Sequence, residues 1–248
     1  MAGNTGSPGE TVSARLLRVL DAFDTAHPEL SLTEIAERAD LPVSTARRLI
    51  LELTNWGGLE RLVDNNYRIG INLWRIGVLA PRQRDLTEVA RPLMHDLCTA
   101  THETVQTMVL DGLQALCVEK ISAESASPTA TEVGARLPLY STAVGKCLLA
   151  NSPRDLLVQV LDRGLTRHTP YTITQPGQLL RQLKEVRSNG VAYSKEEMTI
   201  GAVSVAAPIV SGGVLRGAIG VVVRAPGRLD ILAPAVKTAS FSISRNLA

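Results

Sequence analysis

Residues 30–53 read LSLTEIAERADLPVSTARRLILEL, and this stretch decides the N-terminal fold. Ser31-Leu32-Thr33-Glu34 has the S-x-x-E form of a capping box, in which the serine and glutamate side chains satisfy each other's orphan backbone donors. A helix therefore starts there and buries Leu32, Ile35, Ala36 and Ala39. Asp40-Leu41-Pro42 breaks it, and a second helix follows, because proline is tolerated in a first turn where its missing N–H would be unpaired anyway. Leu49, Ile50 and Leu53 give this second helix its core face. Upstream, Val12, Leu16, Val19, Leu20 and Phe23 recur at helical spacing, with a turn at His27-Pro28-Glu29. Downstream, Gly57-Gly58 ends the helix, Leu59–Val63 and Tyr67–Ile69 are extended, and Asp64-Asn65-Asn66 is turn chemistry. Three helices and a two-stranded ribbon over residues 11–72 make a winged helix-turn-helix, preceded by a flexible tail at 1–10.

In such a fold the second helix of the motif enters the major groove by its N-terminal end. The residues placed there are Val43, Ser44, Thr45, Arg47 and Arg48, with Arg61 and Arg68 on the wing near flanking phosphates. Hydroxyls and arginines contact phosphates and base edges, and a valine can touch a thymine methyl. The alternative for the same elements is a dimerisation or docking domain whose arginines are merely solvated. Charge does not favour DNA by itself. Residues 1–80 hold eight arginines, no lysine and ten acidic residues, a net of 8 − 10 = −2. Strong nonspecific binding by counterion release is thereby not indicated, and any affinity rests on local placement of arginine, whose planar fork binds phosphate or guanine bidentately.

From 73 to 91 the pattern is that of a linker helix, with breaks expected near Ala80-Pro81 and at Pro92; Leu86, Ala90, Leu93 and Leu97 share a face. A second domain occupies 92–248. Thr104–Leu110 and Leu113–Glu119 are strand-like and joined by Asp111-Gly112, a hairpin dipeptide. Residues 122–132 read as a loop; 142–150, 153–161 and 178–188 as helices; 191–196, 203–210 and 215–223 as strands; 229–247 as a covering helix. Segments 204–210 and 218–223 are apolar almost throughout, as strands covered on both faces are. The fold class expected is α+β, a winged helix-turn-helix plus an antiparallel sheet flanked by helices.

The chain has 248 residues, 45% of them hydrophobic, enough for two cores. No apolar run is long enough to span a membrane, and the N-terminal MAGNTGSPGE lacks the basic and apolar regions of an export signal, so a cytoplasmic location is expected. Cys98, Cys117 and Cys147 are odd in number and widely spaced, which fits small buried hydrophobes in a reducing compartment. No cofactor is indicated.

Leu139–Lys146 puts small and hydroxyl residues at a helix start, where free backbone donors and the helix dipole favour an anion such as a carboxylate. Two other chemistries have candidate residues. His95, Cys98 and His102 fall at i, i+3 and i+7, a spacing that would serve a metal sensor, although a fourth ligand is not evident. Glu196-Glu197 and Lys146-Cys147 are the material for an enzyme, but adjacent strand residues face opposite ways and Cys147 has no histidine near it in sequence.

The segment from Ser13 to Gly77, with the stretch quoted above and then YRIGINLWRIG, resembles the DNA-binding half of the IclR family of regulators. VGARLPLYSTAVGKCLLA (133–150), HTPYTIT (168–174), VRSNGVAYSKEEMTIGAVSVAAPI (186–209) and GAIGVVV (217–223) resemble that family's effector-binding domain. The resemblance implies a GAF-like sensor domain, dimers or tetramers, and ligand-modulated binding to a pseudo-palindromic double-stranded operator; from the residues themselves, neither an enzyme nor a membrane partner is expected. The resemblance carries pocket positions onto Leu137, Ala143, Val144, Ser194, Ala202, Ser204, Gly220 and Val222. Several of these lack the polar side chains of members that bind small keto acids, so a larger or more apolar effector is expected, an aromatic or branched carboxylate. Two departures stand out: Asp40 replaces the family's usual glycine, and Glu60 and Leu62 replace more basic wing positions.

Overall fold

The computed structural model describes residues 10–124, 126, 129 and 131–247. The chain forms two compact units, one ending at Pro81 and the other beginning at Arg82. The expected tail lies, up to residue 9, outside the described residues, as do residues 125, 127, 128 and 130 of the expected loop.

In the first unit the order is α1 (Val12–Asp21), β1 (Glu29–Leu30), α2 (Leu32–Arg38), α3 (Val43–Trp56), β2 (Leu59–Arg61), β3 (Tyr67–Ile69) and α4 (Ile71–Gly77). Ser31 caps α2 as its spacing predicts: its Oγ accepts from Glu34 N at 3.3 Å while its own N–H is held by the Glu34 carboxylate at 2.8 Å. Pro42 precedes α3, and Gly57, in the left-handed conformation at φ 79°, ends it; a side chain there would be strained. Val19, Ile35, Ala46, Leu49, Ile50 and Leu53 form the core. The ribbon has a third strand. β1 pairs with β3, setting Glu29 opposite Arg68 and Leu30 opposite Tyr67, in the order β1-β3-β2. Two residues are too few to show a period of two, so the sequence reads as a turn there.

The second unit runs α5 (Pro81–Thr101), β4 (Thr104–Asp111), β5 (Gln114–Ile121), β6 (Arg136–Pro138), α6 (Ala143–Ala150), α7 (Arg154–Asp162), α8 (Pro176–Asn189), β7 (Ala192–Lys195), β8 (Ala202–Ser211), β9 (Val214–Arg224) and α9 (Leu229–Asn246). Its six strands form one antiparallel sheet in the order β6-β5-β4-β9-β8-β7. Leu86, Ala90 and Met94 of α5 and Val236 and Ile243 of α9 pack on one face, against Val205, Ile219 and Val221. Leu148 and Leu149 of α6 and Leu179 and Leu183 of α8 pack on the other, with Met108, Ala206 and Ala218. The central strands are thus covered on both sides.

The expected linker helix over 73–91 is two helices, α4 and α5, interrupted at 78–80. Pro92 does not break the second. It lies inside α5 and on its exposed side, and although an internal proline removes one backbone bond, the row Leu86, Ala90, Met94, Leu97 seats the helix on the sheet core on both sides of it.

Candidate functional site

On α3, Ala46, Leu49, Ile50 and Leu53 face the core. At 100° per residue, Val43, Ser44, Arg47 and Arg48 fall together on the opposite side and are exposed, whereas Thr45 sits at the margin, half-buried. No side chain caps the start of α3. Neither arginine has an ion pair or hydrogen bond to another described residue. Half of the arginines of this unit are committed to acidic residues: Arg15 and Arg18 to Glu10, Arg38 to Asp24 and Arg68 to Glu60. The wing arginines therefore differ. Arg68 is held at 3.0 Å by Glu60, whose hydrogen bond and charge raise its pKa, and Arg61 donates to Asn65 Oδ1 at 2.6 Å in the turn of the ribbon. Asp40, at the position of the family's glycine, takes the left-handed conformation (φ 49°) that glycine adopts without strain.

On the sheet face beneath α6, the register sets Ser194, Ser204, Val222 and Thr104 directly opposite one another across β7, β8, β9 and β4. The next row is Ala192, Ala206, Gly220 and Gln106. A Cβ on Gly220 would lie 2.8 Å from Val144 Cγ1 and 3.2 Å from Ala206 Cβ, so the glycine is what lets the first turn of α6 settle on the sheet. A half-enclosed cavity of about 90 Å³ opens beside that contact. Of the residues expected from the sequence, Leu137, Ser194, Ala202, Ser204 and Val222 line it. Ala143, Val144 and Gly220 do not; they are the packing contact at its edge, with Ala143 and Val144 buried.

The remaining wall comes from Gln106, Thr129, Thr131, Thr142, Met198 and Thr199. Of these, the sequence pointed only to Thr142, as part of the helix start suited to an anion. A glutamine amid the apolar residues of β4 was a further signal, but loop residues 129, 131, 198 and 199 have no periodicity to reveal them. They make the cavity smaller and richer in hydroxyls than the expected apolar pocket. Thr142 caps α6, accepting from Gly145 N at 3.1 Å and donating to Pro138 O at 3.0 Å. A larger groove of about 480 Å³ lies near Asp85, Asn151 and Arg216, but those polar residues are all exposed, whereas Gln106, Thr142 and Ser194 are buried in the smaller cavity's wall.

Residues 196–201, which carry Met198 and Thr199, are anchored from inside. Lys146 on α6 is fully buried, and its Nζ donates to both carboxylate oxygens of Glu197, at 2.6 and 2.7 Å, and to Tyr193 O at 3.0 Å. Burial pushes the lysine's pKa down and the glutamate's up, and each charge opposes the other's shift. Two threonines of the 168–174 segment hold the same loop by its backbone, Thr169 donating to Glu196 O at 2.7 Å and Thr172 to Glu197 O at 2.6 Å. Glu196 points the other way, at φ 57°, and takes the N–H of Gly201 at 2.7 Å.

Residues 13–62 match the IclR helix-turn-helix domain, and residues 79–245 match the bacterial transcriptional regulator IclR C-terminal domain. The chain belongs to the IclR family. It is an IclR-type transcription regulator with a DNA-binding helix-turn-helix and an effector-binding domain. It is 36% identical over 219 residues to the HTH-type transcriptional regulator Rv1719 of Mycobacterium tuberculosis, covering 86% of this chain and 80% of that one. To KipR of Bacillus subtilis it is 29% identical over 228 residues, covering 89% and 90%. Among solved structures, an IclR homolog of Microbacterium hydrocarbonoxydans complexed with 4-hydroxybenzoate superposes with a TM-score of 0.90 at 30% identity, over 96% of this chain and 99% of that one.

Among the described residues, His95, Cys98 and His102 are dispersed and Cys147 is enclosed. Cys98 is turned into the core, His95 is exposed, and His102 lies beyond the end of α5 in the left-handed conformation. Among the described residues no cluster of three metal-ligating side chains forms. Cys147 is buried against Ala206 O at 3.2 Å, and burial pushes its thiol up to about 12, far from a thiolate nucleophile. Among the described residues no helix is long and apolar enough to cross a membrane.

Proposed function

We propose that this regulator reads operator DNA with the exposed face of α3, Val43, Ser44, Arg47 and Arg48, with Thr45 at its margin and the wing arginines alongside. The observation that carries this reading is that Arg47 and Arg48 share the exposed face of α3 with no ion pair among the described residues, while acidic residues hold Arg15, Arg18, Arg38 and Arg68; Arg75 on α4 likewise has no ion pair among them. Of the wing pair, Arg61 is the better phosphate contact, because Arg68 must first leave Glu60. Ile71, Trp74 and Leu79, 70%, 64% and 69% exposed, give the α4 region an apolar surface suited to self-association, which a pseudo-palindromic operator requires. The protein acts as a regulator and not as an enzyme, in the cytoplasm where its operator lies.

The effector binds in the cavity under α6, as a compact carboxylate, branched or with one aromatic ring. The solved homolog holding 4-hydroxybenzoate supports a ligand of this class. The test is a fluorescence-anisotropy titration of operator DNA with and without 4-hydroxybenzoate and a panel of compact aromatic and branched acids. At least one acid should shift the DNA affinity several-fold, and Val144→Asp, which puts a charge into the contact of α6 with the sheet, should abolish the response but not the DNA binding. If no acid changes the affinity, the effector class is wrong.

A further inference from the structure

On β4, Thr104, Gln106 and Met108 share the face that α6 covers, because alternate strand residues point the same way. Thr104 meets Ser122 Oγ at 3.1 Å, and Met108 is core. Gln106 is different. It is only 4% exposed and lines the cavity, yet its carboxamide oxygen is buried with no hydrogen-bond partner among the described residues. Thr129, another residue of the cavity wall, carries a second buried oxygen, Oγ1, without a partner among the described residues. Buried polar atoms in folded proteins are nearly always paired, since an unpaired one forfeits its hydration for nothing. Two such atoms on residues of one small cavity's wall are where a partner from outside the chain would be received. Two neighbouring hydroxyls have already committed their protons: Ser194 to Ser141 O at 3.0 Å and Thr142 to Pro138 O at 3.0 Å.

We infer that Gln106 Oε1 accepts a hydrogen bond from the effector and so selects for a second functional group on it. An ionised carboxylate offers only lone pairs and cannot serve an acceptor. The donor must be another group, so the effector is a compact acid that also carries a hydroxyl or amino group. This inference rests on the cavity being the effector site.

The experiment is isothermal titration of the full-length chain with two matched pairs of acids, 4-hydroxybenzoate against benzoate and 2-hydroxyisovalerate against isovalerate. In the wild type the hydroxy acid of at least one pair should bind roughly 5- to 150-fold tighter than its partner, the range expected for satisfying one buried acceptor. Gln106→Met should erase that preference while still binding the plain acid. It should also raise the melting temperature of the ligand-free protein, because it removes an unpaired polar atom; a glutamine with a merely structural role would lose stability instead. Should Gln106→Met fail to fold, Gln106→Glu keeps an acceptor of the same length, and the hydroxyl preference must survive in it even as both acids weaken. Equal binding of both acids by the wild type, or a preference that persists in Gln106→Met, overturns the role of Gln106 and leaves the effector site standing. A Gln106→Met variant that weakens both members of a pair equally shows that the amide nitrogen faces the ligand, and overturns it too. No binding by any of the four acids overturns the reading of the cavity and this inference with it.

Discussion

Removing Lys146 alone strands the Glu197 carboxylate in the interior, and removing Glu197 strands the ammonium. A broken buried pair of this kind costs about 3–5 kcal/mol, whereas replacing both members by apolar residues is often neutral. Lys146→Met should therefore lower unfolding stability by about that amount in urea denaturation, and Lys146→Met with Glu197→Met should recover most of it. A single variant costing under about 1 kcal/mol would show that the pair does not hold the 196–201 loop. Asp40 predicts a gain. Its left-handed backbone (φ 49°) costs an L-residue about 1–2 kcal/mol, partly offset in a glycine by the freer unfolded chain. Its contact with Arg18 is long, at 3.6 Å, and solvent-exposed, so little is lost with it. Asp40→Gly should raise stability by roughly 0.5 kcal/mol, read as an increase in melting temperature. The sequence shows that Asp40 departs from a glycine pattern, but only the backbone shows what the departure costs.

Among the elements, α2 depends on a charge. The backbone N–H and hydroxyl of Ser31 hold the Glu34 carboxyl below its ordinary value of 4.5. A carboxylate with a depressed folded pKa contributes stability that is fully present above the unfolded value and lost as the pH falls through the folded one. The difference in stability between wild type and Glu34→Gln should thus be constant above about pH 5.5 and close on acidification below about pH 4. Denaturant melts across that range check it, and a gap that persists in acid would contradict the charged cap. Elements with such local signals were readable from sequence: the capped α2, α3 between Pro42 and Gly57, and the apolar β8 and β9. Those without were not. β1 and β6 have two and three residues, too few for a period, and exist because longer strands offer them an edge. Pro92 misleads for the complementary reason, since a helix held by long-range packing tolerates what a local rule forbids. The cavity divides the same way. Its sheet residues Ser194, Ser204 and Val222 lie in readable strands, while Met198, Thr199 and Thr131 arrive from loops whose course is set by distant contacts such as Lys146 with Glu197.

For the whole molecule, the first unit's net negative charge is reconciled with DNA binding by where its acids are spent. Ion pairs hold Arg15, Arg18, Arg38 and Arg68, while Arg47 and Arg48 on α3 keep their charge free of acidic partners among the described residues. Affinity should accordingly be modest and depend on two subunits binding together. Trp74→Asp, placed in the exposed apolar surface of α4, should shift the protein toward monomer in analytical ultracentrifugation and weaken operator binding at least roughly tenfold; unchanged assembly would move the interface elsewhere. The most direct test of the reading helix is selection of genomic DNA fragments by the full-length protein, wild type against Arg47→Ala/Arg48→Ala. The wild type should recover a discrete set of fragments sharing an inverted repeat. The double variant, with its melting temperature and acid binding intact, should lose them by at least an order of magnitude. Recovery of the same fragments by both proteins would contradict the assignment of α3 as the helix that reads DNA.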